Sequence, residues 1–280
     1  MFKNSKENSF TLLNSEKREL QSRYSTGFTI LELIVVITII AILTGIVLIG
    51  VFDVRERARE SSLKVYTGSI ENQLGSIIAG AWYFEEAKGI IIKDFSGNEN
   101  QGTIYGATWN TTNQLNGLNY TLQFNGTSDY IALPNDLGYK DQVSAFAWVK
   151  TTGSPAGTYH IVFGGQYLEI SIYYTGLLRT GLYTSGGRFV SNHGSGLTDG
   201  NWHHVGFTFD GSTKKTYIDG QYMGSLGTTG NLIGSFADRT IGRYGSSTAY
   251  YLNGEIAEAM ILSRGITDEE VKLLYNSRKQ

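Results

Sequence analysis

The chain has 280 residues, of which 41% are hydrophobic and 17% are charged, and its formal net charge is −2. This is enough sequence for one sizeable core plus a long helix, and the near-neutral charge argues against nucleic-acid binding, which favours a strongly basic face. The sequence contains no cysteine, which excludes disulfides and thiolate metal sites.

The first predicted element is an apolar helix that follows a polar, charged leader over residues 1–27. Between Phe28 and Phe52 the only charged residue is Glu32. A helix over this stretch rises about 1.5 Å per residue and can cross a hydrocarbon core of ~30 Å. A secretory signal peptide has a shorter apolar region and a small-residue cleavage site, neither of which is found here. We therefore predict a transmembrane helix over residues 28–52.

Glu32 is unusual in such a helix, because a carboxylate in lipid is unfavourable unless it has a partner. One interpretation is a functional carboxylate that pairs with a positive charge. The other is a side chain at the helix end that extends to the lipid headgroups. The residues alone leave both interpretations open.

The segment around Glu32 resembles the N-terminus of the type IV prepilin family. A charged leader is followed by Gly27 and then by Phe28-Thr29-Ile30-Leu31-Glu32 and a run of aliphatic residues. The resemblance implies that a prepilin peptidase cuts after Gly27 and methylates the new N-terminal Phe28. In that case Glu32 neutralises the Phe28 ammonium of a neighbouring subunit in a medium of low dielectric constant.

The same resemblance implies a location and partners. The chain is expected to span the cytoplasmic (inner) membrane of a bacterium once, surrounded by lipid. It is then expected to join other pilin subunits, through the assembly platform, in an extracellular filament or at the cell surface.

The helix is predicted to continue beyond the membrane, because no proline occurs before Pro134. Residues 53–78 keep apolar or small residues at steps of three and four, while Arg55, Glu56 and Lys64 supply a charged face. We expect one helix from about Phe28 to about Ile78. Its amphipathic second half packs either on neighbouring subunits or on the chain's own globular domain.

Beyond Ala79 the apolar period changes to two, which predicts β-strands. Residues 143–149 and 205–209 alternate between faces, and Asn-Gly and Asp-Gly pairs mark turns. We predict an antiparallel β-sandwich over residues 79–280, and hence an α+β fold. A capping box of Thr267 and Glu270 precedes a short last helix.

Several segments of this region resemble, in order, the laminin G-like, concanavalin A-like jelly-roll family. They are Trp82–Glu85, Asp94–Gly102, Leu122–Ile131, Trp202–Val205 with Tyr217–Gly220, and Gly254–Glu258. One departure is Ala257, where the family often has an acidic residue. The resemblance implies a jelly roll, and it implies calcium in loops such as residues 94–100.

The loop after Asp94 is the candidate metal site. Asp94, Asn98 and Asn100 offer oxygen atoms at close spacing, with Asp129 as a further contributor, and Ca²⁺ takes about 6 to 8 oxygen ligands. The alternative is a network of Asx turns without metal. His203 and His204 are adjacent on one predicted strand and therefore point to opposite faces, which favours structural roles.

Catalysis is not predicted. Glycan hydrolases need two carboxylates roughly 5 to 9.5 Å apart, whereas the segment around Glu169 has only one, and Glu255 and Glu258 are expected on opposite faces because they are three residues apart. Tyrosines near turns are candidates for stacking on sugar rings or on a protein surface; they are Tyr173, Tyr174, Tyr183, Tyr244, Tyr250 and Tyr251.

The predicted function is that of a pilin-like subunit of a type IV filament, and a minor one given its large globular part, which displays a jelly roll for adhesion to a glycan or a protein. One alternative is a pseudopilin of a type II secretion or DNA-uptake system. The second alternative is a membrane-tethered glycan hydrolase. The sequence does not identify the ligand or the residues that bind it.

Overall fold

The computed structural model of the chain describes residues 29–44, 54, 61, 68, 70, 72–112, 115, 118, 120–134, 137, 141–153, 157–165, 167–233, 239–245 and 249–279. The chain divides into two compact units, residues 1–57 and residues 58–280, and each is described by itself. Gly27 and Phe28, with the predicted cleavage between them, lie outside the described residues, as does most of the predicted helix between residues 45 and 71.

The first unit contains helix α1, which is described over residues 30–44. Its large aliphatic side chains are exposed. The hydroxyl groups of Thr38 and Thr44 donate to the carbonyl oxygens of Ile34 and Ile40, both at 2.7 Å, so these two polar side chains are satisfied within the helix. Within the described part of the chain, no helix combines the length and the apolar character that crossing a membrane requires.

The second unit starts with helical residues and then changes to strand. Residues 72–74 are helical, a 3₁₀ turn spans Gly75–Ile77, and the first strand begins at Ile78. This boundary agrees with the predicted helix end near Ile78. Ile70 and Leu74 are buried against residues of the second unit. At these two positions, the chain therefore packs on its own globular domain, which is one of the two predicted alternatives.

Sixteen strands build the described β-structure, and all of their pairings are antiparallel. In chain order they are β1 (Ile78–Trp82), β2 (Ile91–Ile92), β3 (Gly102–Tyr105), β4 (Thr108–Asn110), β5 (Thr121–Asn125), β6 (Tyr130–Ala132), β7 (Val143–Thr152), β8 (Tyr159–Gly164), β9 (Leu168–Tyr173), β10 (Leu178–Thr184), β11 (Gly187–His193), β12 (Asp199–Phe209), β13 (Thr213–Ile218), β14 (Gln221–Gly227), β15 (Thr240–Ile241) and β16 (Asn253–Leu262).

The strands form two sheets of eight. Sheet A has the order β14-β13-β12-β7-β16-β5-β4, with β1 paired to β16 as well. Sheet B has the order β11-β10-β9-β8-β15-β6-β3-β2. The many non-consecutive neighbours are typical of jelly rolls, in which long connections carry the chain between two sheets. The predicted antiparallel sandwich is confirmed.

The main core lies between the two sheets. Val143, Ala145, Ala147 and Val149 of β7 face it, while Trp148 of the same strand faces away. Strand β12 follows the same rule with Val205, Phe207 and Phe209. Burial of each large apolar side chain contributes about 1.5–3 kcal/mol, so this core is the main stabilising element of a domain without disulfides.

The outer face of sheet A, the face turned away from sheet B, is covered by helix α2 (Asp268–Lys279). The Thr267 amide donates to Glu270 Oε2 at 2.7 Å and the Glu270 amide donates to Thr267 Oγ1 at 3.3 Å. The predicted capping box is therefore confirmed. Val271 and Leu274 are buried against the sheet, and Arg278 donates through Nε to Glu258 Oε2 at 2.8 Å.

Strand β16 corrects one sequence prediction. Glu255 pairs with Lys150 and Glu258 pairs with Trp148, although the two glutamates are three residues apart and their partners on β7 are two apart. A β-bulge at Ala257 adds the extra residue. The prediction that Glu255 and Glu258 face opposite sides is therefore wrong, because both lie on the outer face of sheet A.

Candidate functional site

The outer face of sheet B, turned away from sheet A, carries a depression that we call the basin. Its volume is about 230 Å³, and it is lined by Tyr159, Ile161, Glu169, Arg179, Arg188, Tyr244 and Tyr250. Pockets for whole drug-sized ligands occupy about 300–1,000 Å³. The basin therefore suits one ring-sized group of a larger ligand.

Strand alternation brings these residues to one face. On β9, Leu168, Ile170 and Ile172 point into the core, so Glu169 and Tyr173 point outward. The pairings then place Tyr159 of β8 opposite Tyr173, and Gly181 of β10 opposite Glu169. Paired antiparallel strands thus form the floor of the basin.

Glu169 is the buried centre of the basin, with only 5% of its surface exposed. It accepts hydrogen bonds from Ser171 Oγ at 2.8 Å, from Arg179 Nε at 2.9 Å and from Arg188 Nη2. A Cβ at Gly181 would lie 3.1 Å from Glu169 Oε2, so glycine leaves the room that this carboxylate needs. A buried carboxylate is tolerated only with such partners.

Arg179 and Arg188 both keep donors that Glu169 does not use. The bond from Arg179 to Glu169 uses Nε alone, and the two terminal amino groups of Arg179 make no hydrogen bond to a described residue. The guanidinium carbon of Arg179 lies 5.5 Å from the centre of the Tyr159 ring. Arg188 reaches the hydroxyl of Tyr244 at 3.4 Å. The basin therefore exposes guanidinium donors beside aromatic rings.

The tyrosines form a contiguous aromatic group around these arginines. The Tyr159 ring centre lies 4.7 Å from that of Tyr173 and 5.7 Å from that of Tyr250, which meets it edge to face. Tyr174 packs edge to face on Tyr173 at 4.4 Å. Partial desolvation is the largest cause that raises the pKa of Tyr173, and the neighbouring Tyr174 and Tyr159 raise it further. Its hydroxyl therefore remains a hydrogen-bond donor.

The structure brings together most of the predicted tyrosines and adds one. Tyr173, Tyr174, Tyr244 and Tyr250 lie in or beside the basin, whereas Tyr183 packs on Tyr167 at 5.7 Å. Tyr251 forms an isolated antiparallel β-bridge with Arg243 through the backbone. Tyr159, Arg179 and Arg188 were missed, and only their alternation with apolar residues on predicted strands could have placed them outward.

The predicted calcium loop is a dense hydrogen-bond network. Asp94 Oδ1 accepts from the amides of Ala81 and Ser96, and Oδ2 accepts from Ser96 Oγ and the Asn100 amide, at 2.6–2.9 Å. Asn98 and Asn100 each donate a side-chain amide to the carbonyl oxygen of Ala79. A carboxylate has about four lone-pair sites, so Asp94 as arranged has none left for a cation and does not fit a calcium site.

Asp129 is hydrogen-bonded within its own turn. Its Oδ2 accepts from the amide of Asn125 at 3.0 Å, and its Oδ1 accepts from Ser128 Oγ at 3.2 Å. No cluster of three or more His, Asp and Glu side chains suited to a metal occurs among the described residues. The geometry favours the Asx-turn alternative, and calcium binding stays a prediction.

His203 and His204 point to opposite faces, as predicted. His203 bonds to Asp219 Oδ2 through Nδ1 at 2.9 Å and to Asp199 Oδ1 through Nε2 at 3.2 Å, and these carboxylates, Asp219 first, raise its pKa. His204 is buried and stacked on Phe146, and burial lowers its pKa to about 4. Each histidine thus has a local structural role, and they share no site.

Two family profiles match the chain. The concanavalin A-like lectin/glucanases superfamily matches residues 125–272, and the prokaryotic N-terminal methylation motif matches residues 22–48. Both resemblances drawn from the sequence are confirmed. The methylation motif implies processing by a prepilin peptidase and assembly with other pilins. No curated protein matches the chain significantly.

Solved structures share the sandwich. The binding domain of Paraclostridial Mosquitocidal Protein 1 aligns with a TM-score of 0.60 at 16% identity, over 73% of this chain and 53% of that one. A second match is domain 4 of AbnA, a GH43 extracellular arabinanase from Geobacillus stearothermophilus, which was solved in complex with arabinotriose. It aligns with a TM-score of 0.54 at 19% identity, over 71% of this chain and 98% of that one.

A structure of botulinum neurotoxin type C, whose cell entry is described as dependent on two ganglioside molecules, gives a TM-score of 0.59 at 13% identity, over 75% of this chain and 53% of that one. The chain thus spans about half the length of the toxin domains that it matches. At these identities the likeness establishes a shared fold.

Proposed function

The chain belongs to the concanavalin A-like lectin/glucanases superfamily, and from that premise we propose that it is a pilin-like surface protein whose sandwich binds a glycan in the basin. The observation that carries the proposal is the convergence of Tyr159, Tyr250 and Tyr244 on two arginines over one sheet. Tyrosine offers a flat apolar face for a sugar ring and a polar tip for its hydroxyl groups.

The sandwich is carried by a pilin-type N-terminus. The peptidase removes the leader between Gly27 and Phe28, and the helix anchors the protein in the cytoplasmic membrane before it joins a filament at the cell surface. The protein is a minor subunit, since a globular part this large is displayed more easily in few copies than in every repeat. The methylation motif at residues 22–48 supports the cleavage of the leader and the assembly with other pilins.

The sandwich binds its ligand without cleaving it. Among the described residues that line the basin, Glu169 is the only carboxylate, and it is held by two arginines. Glu255 and Glu258 share a face but are both buried, and Glu258 is paired with Arg278. A hydrolase needs a second carboxylate across the cleaved bond. The arabinanase domain solved with arabinotriose is a precedent for a glycan on this fold.

The binding proposal is tested with the full chain, purified in detergent, on a glycan array. We expect binding to a subset of glycans, reduced at least tenfold by Tyr250→Ala, because this ring is 38% exposed at the edge of the basin. Tyr222→Ala is the matched control, since Tyr222 is a half-exposed tyrosine on sheet A. Absence of glycan binding, or equal losses in both variants, would contradict the proposal.

The pilin proposal has its own test, which is the N-terminal mass of protein extracted from membranes. A chain that starts at a methylated Phe28 is expected, and an intact leader contradicts it. Abundance in purified filaments then distinguishes subunit types. A copy number equal to that of the main repeating subunit would contradict the minor role.

A further inference from the structure

Arg179 presents the basin with a planar pair of donors to which no described residue is hydrogen-bonded. The side chain is 22% exposed, its Nε is fixed by Glu169, and its two terminal amino groups have no acceptor among the described residues. Within the described part of the chain, the guanidinium is therefore held in place at one edge, and its opposite edge makes no hydrogen bond. A planar guanidinium edge matches two oxygen atoms of a carboxylate with two parallel hydrogen bonds.

The charge around the basin also favours an anion. Two arginines face one carboxylate, Glu169, so the lining has an excess of positive charge. This excess occurs in a chain whose formal net charge is −2. The excess of positive charge is thus a local property of the basin.

Aromatic rings border the same donors. Tyr159 lies 5.5 Å from the Arg179 guanidinium, and Tyr250 meets Tyr159 edge to face at 81°. One ligand ring can therefore face tyrosine while an acidic group on that ring reaches Arg179. A neutral sugar would leave the guanidinium edge without a partner.

We propose that the basin selects a glycan unit that carries a carboxylate, such as a uronate or a sialate, and that the two terminal amino groups of Arg179 bind this carboxylate. The proposal rests on glycan binding in the basin and adds the chemical class of the ligand. Glu169 is a positioning residue in it, because it fixes the angle of both guanidinium groups and touches no ligand.

The test compares matched glycans on the full chain in detergent. The probes are oligosaccharides that end in glucuronate or sialate, the same oligosaccharides with the carboxylate reduced to an alcohol, and sulfated analogues. We expect carboxylated probes to bind about tenfold or more tightly than the reduced ones at low salt, and the difference to shrink as salt is raised. Equal binding to reduced probes, or tighter binding to sulfated ones, would overturn the carboxylate proposal and leave glycan binding intact.

Arg179→Lys is the decisive variant, because it keeps a positive charge beside Glu169 and removes the planar edge. The preference for carboxylated probes over reduced ones should fall to about twofold or less. Arg243→Lys is the matched control; Arg243 lies over the ring of Tyr130 and does not line the basin. An unchanged preference in Arg179→Lys would overturn the proposal.

Folding is checked separately so that a loss of binding can be interpreted. The melting temperature of Arg179→Lys should stay near that of the wild type. If it falls, the double variant Glu169→Gln with Arg179→Gln removes both charges of that pair together. Arg188 also loses its carboxylate partner in this variant, but its side chain is 34% exposed and can be solvated. This double variant should also lose the carboxylate preference, and a retained preference would contradict the role of Arg179.

Discussion

Thr29 and Glu32 cap helix α1 reciprocally. Glu32 Oε2 accepts from the Thr29 amide at 2.8 Å and from Thr29 Oγ1 at 2.9 Å, while the Glu32 amide donates to Thr29 Oγ1 at 3.2 Å. This is a capping box, in which two otherwise unpaired amides at the start of a helix are satisfied. Glu32 therefore has a structural partner within its own chain, in addition to the assembly role predicted from the sequence.

Two substitutions of Glu32 separate these roles. Glu32→Gln keeps a side chain that can cap the helix but removes the charge, whereas Glu32→Ala removes both. We expect both variants to reach the membrane and both to be impaired in filament assembly, because charge pairing with Phe28 is lost in each. The measurement is the fraction of subunit recovered in sheared filaments relative to the membrane.

The matched control for the capping effect is Glu270→Gln, which acts on the same motif at the start of α2. Glutamine can still cap the helix, so the loss of about 0.5–2 kcal/mol that follows removal of a cap is avoided. Glu270 also pairs with Arg264 at 2.7 Å, and the loss of this partly exposed pair should cost no more than about 1 kcal/mol. Normal assembly of Glu32→Gln together with failure of Glu32→Ala would mean that the cap, and not the charge, is what assembly requires.

Removal of Glu169 should destabilise the sandwich. Glu169→Ala leaves Arg179 and Arg188 side by side without their shared carboxylate. Because both arginines are partly exposed and solvent screens them, we expect a loss of about 1–3 kcal/mol in the free energy of unfolding. Urea unfolding of the full chain measures this. Replacement of both arginines by glutamine in the Glu169→Gln background should recover much of the loss, and failure to do so would show that their mutual repulsion is not the cause.

Lys214 should make stability depend on pH. Burial lowers its pKa from 10.5 to about 7. Between pH 7 and pH 10.5, Lys214 is therefore protonated in the unfolded chain but not in the folded chain. The free energy of unfolding should rise with pH through this range because of Lys214. Unfolding midpoints at pH 6 and pH 9, compared between wild type and Lys214→Met, isolate the effect. An identical pH dependence in both proteins would contradict it.

The sequence predicted the fold well because the sandwich follows local rules. Alternation along β7 and β12 placed Val143, Val149 and Phe207 in the core, and the spacing of Thr267 and Glu270 located α2. The same Thr-x-x-Glu spacing occurs at Thr29 and Glu32, but the apolar segment that follows makes the carboxylate look like a charge in a membrane, which conceals its role as a helix cap.

The basin could be predicted only in part, because it depends on strand register. Tyr173 and Tyr174 are adjacent at the end of β9, so the local sequence is enough to predict them as candidates. Tyr159 and Arg188 lie on other strands, and their position depends on strand pairing, which is a long-range property. The β-bulge at Ala257 has the same origin. An inserted residue reverses the expected face of Glu255 relative to Glu258, and local alternation gives no sign of it.

The loop that follows Asp94 allows the calcium prediction to be tested on stability. Both oxygens of Asp94 are bonded to protein donors, among them the amide of Ala81 in β1. Calcium would have to displace those donors, and their unpaired amides would offset the gain. We therefore expect the melting temperature of the full chain to be the same in calcium and in chelator.

Asp94→Ala should lower that melting temperature in both conditions, because it leaves the amides of Ala81, Ser96 and Asn100 without their acceptor at the start of the sandwich. Asp210→Ala is the matched control, since Asp210 accepts from the amides of Ser212 and Thr213 in an exposed turn and should matter less. A calcium-dependent rise in the wild type that disappears in Asp94→Ala would mean that the loop opens to bind the ion, as the sequence first suggested.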